Sequence, residues 1–240
     1  MIPFGTKAET LERLGRVLKD SIILPQVRFT VEEWQREKER LLKKVQEELS
    51  LKYRQLIARS SAYSEDTLTS SGAGCYRSVG NIDSSSSKSI ADAVECVIAY
   101  FNKNVLPGNQ VFLQPYLEDI DISGVIFTRD IDTMSPYYVV NYDDETKRSD
   151  TVTAGNISKL KTLIKYRDYP TKKEKFKSVF SAVEEIEMQL NCDFLDIEFA
   201  LDSCGKVYIF QVRPIVHSYQ ELPDTAKVGH YLNKVYKKIV

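Results

Sequence analysis

Apolar positions along this chain switch between a helical period and a period of two, and the switches divide it into elements. Helical spacing predicts a first helix over Thr6 to Leu18, with Leu11, Leu14 and Leu18 on one face. Thr6 stands at its start and Glu9 three residues on, the spacing of a capping box. A second, highly charged helix is predicted from Val31 to about Tyr53, with Trp34, Leu41, Leu42, Val45 and Leu49 buried and Thr30 as N-cap. Ile90 to Phe101 and Phe176 to Leu190 follow the same period. Short β-rich runs read as strands at Leu56 to Arg59, Val111 to Leu117, Ile122 to Thr128 and Tyr137 to Tyr142. Helices interleaved with mostly antiparallel strands argue for an α+β fold.

The sharpest alternation lies near the C-terminal end. Leu195, Ile197, Phe199 and Leu201 alternate with Asp196, Glu198 and Ala200. A turn ending in Gly205 leads into a second arm through Tyr208, Phe210, Gln211, Val212 and Arg213. This predicts a hairpin. With Leu201 opposite Lys206, Asp196 would face Gln211, and Glu198 and Arg213 would share that side. Two carboxylates, an amide and a guanidinium on one surface suit a hard cation such as Mg²⁺ together with phosphate oxygens. A solvated polar face of an amphipathic hairpin has the same pattern.

Composition narrows the classes without choosing among them. The chain has 240 residues, 42% of them hydrophobic and 28% charged, with a net charge of -1. That is ordinary for a globular protein and gives no reason to expect nucleic acid or membrane as a partner. No apolar run approaches membrane-spanning length, and the first residues lack a signal-peptide core. Four cysteines without metal-type spacing suggest reduced thiols and a cytoplasmic setting. Two histidines, His217 and His230, exclude a histidine-rich metal site. Small polar residues from Ser60 to Gly74 could close around phosphate oxygens or form a plain surface loop.

Several segments together resemble a known family. Arg59-Ser60-Ser61-Ala62 with Glu65-Asp66, then Ser71-Gly72-Ala73-Gly74, is similar to the "RSSAxxED…SxAG" stretch of the phosphoenolpyruvate synthase and pyruvate phosphate dikinase family. Gly5-Thr6-Lys7-Ala8 with Leu11 and Leu14-Gly15 resembles its N-terminal "GGKxAxLxxLG". Gln114-Pro115-Tyr116-Leu117 followed by Ser123 to Thr128 resembles "QxMV…SGVxFT". Asp196 to Phe199 and Ile209 to Pro214 resemble "DIEWA" and "LQARP". The segments run in the family's order from Gly5 to Pro214.

The resemblance implies an ATP-grasp fold in which two lobes with mostly antiparallel sheets clasp ATP: residues 1–108, then 109–216, then a tail over 217–240. It implies that Lys7, Arg59 and Arg213 act on the phosphates as catalytic cations. Gln114, Tyr116 and Leu117 would lie against adenine, Gln211 and Glu198 would also contact the nucleotide, and Asp196 and Glu198 would hold Mg²⁺. It further implies that phosphate passes to a histidine on a separate swivelling domain and then to an acceptor-substrate domain, in the same longer chain or in trans. The family's "GLGE"-type segment has no counterpart here. Tyr137 to Asp144, then Ser149 to Gly155, stand in its place, with Thr151, Thr153 and Gly155 as substitutes or as a surface turn. That departure points to the glutamine kinase offshoot of capsular polysaccharide phosphoramidate synthesis, with L-glutamine as acceptor. Pyruvate as acceptor, or a non-catalytic ATP-sensing or scaffold module, are the alternatives.

Overall fold

The computed structural model describes residues 2–62, 78–101, 106–146 and 160–215. Thr6 opens the first helix, α1 (Lys7–Leu14). Its hydroxyl accepts from Glu9 N and the Glu9 carboxylate accepts from Thr6 N, the expected capping box. The helix is shorter than its apolar pattern suggests and stops at Gly15. Thr30 and Glu33 form a second capping box for α2 (Val31–Val45), which passes into one π-helical segment, Gln46–Ser50, instead of running on to Tyr53. α3 (Ser87–Tyr100) is capped by Ser86, and α4 (Lys177–Leu190) ends at Asn191 in the left-handed region.

Among the described residues nine strands make two antiparallel sheets, so the α+β class holds. The strands are β1 (Val27–Thr30), β2 (Gln55–Ser61), β3 (Ser78–Asp83), β4 (Gln110–Pro115), β5 (Ile120–Phe127), β6 (Tyr137–Asp143), β7 (Lys161–Tyr166), β8 (Leu195–Asp202) and β9 (Val207–Pro214). The first sheet has the order β1-β4-β2-β3 and the second β7-β6-β5-β8-β9. β4 belongs to the first sheet, so the change of sheet falls after Pro115.

Each sheet has one apolar face packed against helices and a second face on which charged and apolar residues mix. Val27, Phe29, Val111, Leu113, Leu56 and Ala58 pack under α2 and α3, with Trp34 stacked on Phe29. On the second sheet Ile122, Ile126, Val140, Ile197, Phe199, Ile209 and Val212 pack against α4, and Ala8, Leu11 and Leu14 of α1 join the same core. Residues directly opposed in a ladder share a face. Arg28, Phe112 and Arg59 are therefore neighbours on the side of the first sheet turned away from α2 and α3. Phe112 reaches the core of the second sheet from there. The other side of the second sheet presents Asp196 and Glu198. Among the described residues no helix is long and apolar enough to cross a membrane.

Candidate functional site

Helix α1 ties the sheets together at its first turn. Ala8 N donates to Ser61 Oγ of β2 (3.0 Å), and Thr6 Oγ1 donates to Gln110 Oε1 of β4 (2.9 Å). Gln110 Nε2 returns a bond to Glu9 Oε1 (3.0 Å). The body of the helix is buried in the core of the second sheet. Lys7, on the first turn, thus has its backbone held by one sheet and its side chain aimed at the other. Its Nζ donates to Gln211 Oε1 (2.6 Å) and stands 3.6 Å from Glu198 Oε2. Arg59, near the end of β2, brings Nη1 to 3.9 Å from the same Glu198 oxygen. Its guanidinium lies 5.1 Å from the centre of the Phe210 ring, a cation–π contact.

The hairpin carries the acidic half in a register different from that predicted. Asp196 is paired with Arg213 and Glu198 with Gln211, while Phe199 is already paired with Ile209. Phe210 is the extra residue of a β-bulge. Alternation in the second arm breaks there. Phe210 joins Ile120 and Ala200 in a small cluster, with Tyr208 packed against it, while Val212 stays in the core on the opposite side. The bulge keeps Gln211 and Arg213 on the face of Asp196 and Glu198, and it also places the ring that Arg59 covers. Sequence reasoning missed Phe210 as part of this face, since an inserted residue leaves no mark in an alternating pattern.

Asp196 and Arg213 form a tight pair, with Nε and Nη2 of the arginine at 2.8 and 2.7 Å from Asp196 Oδ2. Burial pushes the Asp196 carboxyl upward, against the pull of Arg213. A raised pKa in the folded state means that ionisation costs stability. The cost is absent below the ordinary carboxylate range and develops as the pH rises toward the folded value. Arg213 is 42% exposed and can rehydrate if its partner loses charge. Asp196→Asn is therefore expected to raise the melting temperature at pH 7 by about 3 °C. That gain should vanish on acidification to about pH 4. A lower melting temperature at pH 7 would mean that the ion pair outweighs the burial.

Gln114 is paired with Ile57, on the face of the first sheet that also carries Arg59, and Tyr116 and Leu117 follow it at the end of β4. Gln114 is buried; its Nε2 donates to Leu24 O (3.3 Å), and its Oε1 has no hydrogen-bond partner among the described residues. Tyr116 lies against Gly80, where a Cβ would come within 2.9 Å of its ring. Leu117 packs on the cluster of Ile120, Ala200 and Phe210. Phe210 thus touches both groups, the Arg59 guanidinium on one hand and the surroundings of Leu117 on the other.

Three cations, two carboxylates and an amide are gathered here by two sheets and one helix. The donor set fits Mg²⁺ in part. Glu198 offers a carboxylate flanked by cations at 3.6 and 3.9 Å, whereas Asp196 is committed to Arg213. Among the described residues no three His, Cys, Asp or Glu side chains gather as a metal cluster. A cation held at Glu198 would complete its shell with phosphate oxygens and water. Ser64 to Gly74, Thr151, Thr153, Gly155 and both histidines lie outside the described residues.

No family profile matches the sequence, and no curated protein matches it. Among solved structures the chain is similar to the D-alanine–D-alanine ligase from Coxiella burnetii, with 9% identity and a TM-score of 0.46, covering 92% of this chain and 51% of that one. It is also similar to an L-amino acid ligase from Bacillus licheniformis, with 14% identity and a TM-score of 0.48, covering 95% and 45% respectively. A third is the RiPP-associated ATP-grasp ligase of Chryseobacterium gregarium in complex with ADP and a leader and core peptide, with 11% identity and a TM-score of 0.47, covering 97% and 58%. The chain spans about half the length of these proteins.

Proposed function

We propose that a cleft opens between the two sheets where Lys7, Arg59 and Glu198 meet and binds ATP with Mg²⁺ as an ATP-grasp module, and that the chain is the nucleotide-binding part of an ATP-dependent phosphotransferase. The observation that carries this reading is the meeting of Lys7, Arg59, Glu198 and Gln211 across the sheets. Cations from separate elements share one acidic oxygen there, an arrangement that polyphosphate can enter by replacing the carboxylate as their counter-charge. Lys7 and Arg59 would hold phosphate oxygens and offset charge as the phosphoryl group moves. Arg213 would release part of its hold on Asp196 to do the same. Glu198 would hold the metal, whose chemistry there would be added positive charge beside the phosphates. Gln114, Tyr116 and Leu117 would line the base, with Phe210 between the base and phosphate ends.

The order of motifs from Gly5 to Pro214 supports the finer reading that phosphate passes to a histidine on a separate swivelling domain. L-Glutamine would then be the final acceptor, with pyruvate the alternative. The decisive experiment is a thermal melt with ATP, ADP, AMP and no nucleotide, each with and without Mg²⁺. Ligand that binds only the folded chain raises the melting temperature. ATP with Mg²⁺ should give the largest rise. No rise with any nucleotide would overturn the assignment of the cleft. A rise with ATP, followed by release of ADP and no AMP when acceptor domains are supplied, would retain the site and reject the dikinase-like course.

A further inference from the structure

A cavity of about 310 Å³ opens between the end of β7 and the first turns of α4. It is lined by Lys165, Arg167 and Tyr169 on one side and by Lys177, Ser181 and Glu184 on the other. Lys165 is paired with Tyr138, whose ring lies in the core beneath α4, so it stands on the side of the second sheet opposite Asp196 and Glu198. The volume is at the small end of the ~300–1,000 Å³ usual for ligand pockets. None of the lining residues takes part in the nucleotide site.

Within this cavity Lys165 is held in an unusual setting for an amine. Its Nζ lies 4.8 Å from the centre of the Tyr138 ring and 5.0 Å from that of Phe180, and it donates to Arg167 O (2.9 Å). The Arg167 guanidinium lies 4.7 Å from the centre of the same Tyr138 ring. Burial pushes the Lys165 amine downward in pKa against the pull of Glu184; Arg167 adds to the lowering, and Asp168 and Glu187 oppose it. An amine taken partly out of water beside a second cation is one that a protein can keep reactive toward a carbonyl carbon. Lys177, on the facing wall, is paired only across an exposed surface with Glu174 (2.8 Å), a bond that an anionic ligand can displace.

We propose that Lys165 is a nucleophilic amine that forms an imine with a small aldehyde bearing an anionic group, the anion being held by Lys177. The neutral amine adds through Nζ to the carbonyl carbon. The carbonyl oxygen takes both amine protons and leaves as water, C=N replaces C=O, and nothing is oxidised or reduced. This assignment is independent of the nucleotide reading.

The test is labelling of the full chain at pH 7 with glyoxylate and cyanoborohydride, which traps the imine as a secondary amine, followed by mass spectrometry of peptides. Lys165 should be labelled about tenfold faster than Lys43, whose side chain is 76% exposed. Lys165→Arg keeps a cation on the two rings and should abolish the fast label while leaving the others. Lys177→Gln should slow labelling of Lys165 by glyoxylate severalfold and leave labelling by uncharged propionaldehyde unchanged. Labelling of Lys165 no faster than that of Lys43 overturns the proposal, because the amine is then an ammonium seated on aromatic rings. An unaltered glyoxylate rate in Lys177→Gln overturns the anionic class of ligand.

Discussion

On the proposed ATP-binding reading, Glu198→Gln is expected to remove a Mg²⁺ requirement for ATP binding and to tighten the binding of metal-free ATP by tenfold or more. Glu198 Oε2 lies 3.6 Å from Lys7 Nζ and 3.9 Å from Arg59 Nη1, and all three side chains are no more than 15% exposed. At such separations a charge pair in a partly desolvated setting is worth up to about 4 kcal/mol. The amide keeps the volume and the hydrogen-bonding oxygen but leaves two cations without their shared counter-charge. An incoming polyphosphate then meets more positive charge, and no carboxylate remains to need screening by metal. Without nucleotide the same variant should lose about 2 kcal/mol of stability, since lysine and arginine now repel. Calorimetric titration with ATP in EDTA and in Mg²⁺ reads both halves. An unchanged preference for the metal form would show that Glu198 neither holds the metal nor guards the phosphate cleft.

How much of this was legible in the sequence depends on what each residue does. Thr6 with Glu9 and Thr30 with Glu33 marked two helix starts correctly, because a capping box is local chemistry. The hairpin of β8 and β9 was legible from alternation, and so was the convergence of Asp196, Glu198, Gln211 and Arg213 on one face. Its register was not: Leu201 already pairs with Val207 instead of Lys206, and the bulge at Phe210 adds one more residue, so Asp196 meets Arg213 instead of Gln211. Strands β1, β3 and β7 escaped for different reasons. Four residues, Val27–Thr30, are too few to show a period. Gly80 and the left-handed Asn81 interrupt β3. Half of β7 is exposed on an edge and none of it is fully buried, so neither face needs to be apolar. The role of α1 as a tie between sheets was hidden as well. It rests on Ser61 and Gln110, which are distant in sequence and become partners only once β2 and β4 are paired.

The largest loss of stability is expected behind the site rather than in it. Glu187, on α4, receives both arms of Arg167 (2.6 and 2.7 Å) and the hydroxyl of Tyr138 (3.0 Å). Arg167 Nη1 also donates to Thr128 O (3.0 Å), and its guanidinium lies 4.7 Å from the centre of the Tyr138 ring. Burial and the Glu187 carboxylate hold the Tyr138 phenol far above its usual range, so it remains a donor at every working pH. Glu187→Ala strips a half-buried guanidinium and a fully buried hydroxyl of their acceptor at once. The expected cost is about 4 kcal/mol, or roughly 10 °C in melting temperature for a chain of this size. Replacing the whole group, as Tyr138→Phe, Arg167→Met and Glu187→Met together, removes the unpaired charges along with the pair and should recover most of that loss. The network pins α4 to the sheet face opposite Asp196 and Glu198, so neither variant should change ATP affinity measured well below its melting point. A triple variant as unstable as Glu187→Ala would show that the network contributes by pairing beyond what packing can replace. A change in affinity would show that the position of α4 is transmitted through the second sheet to the cleft.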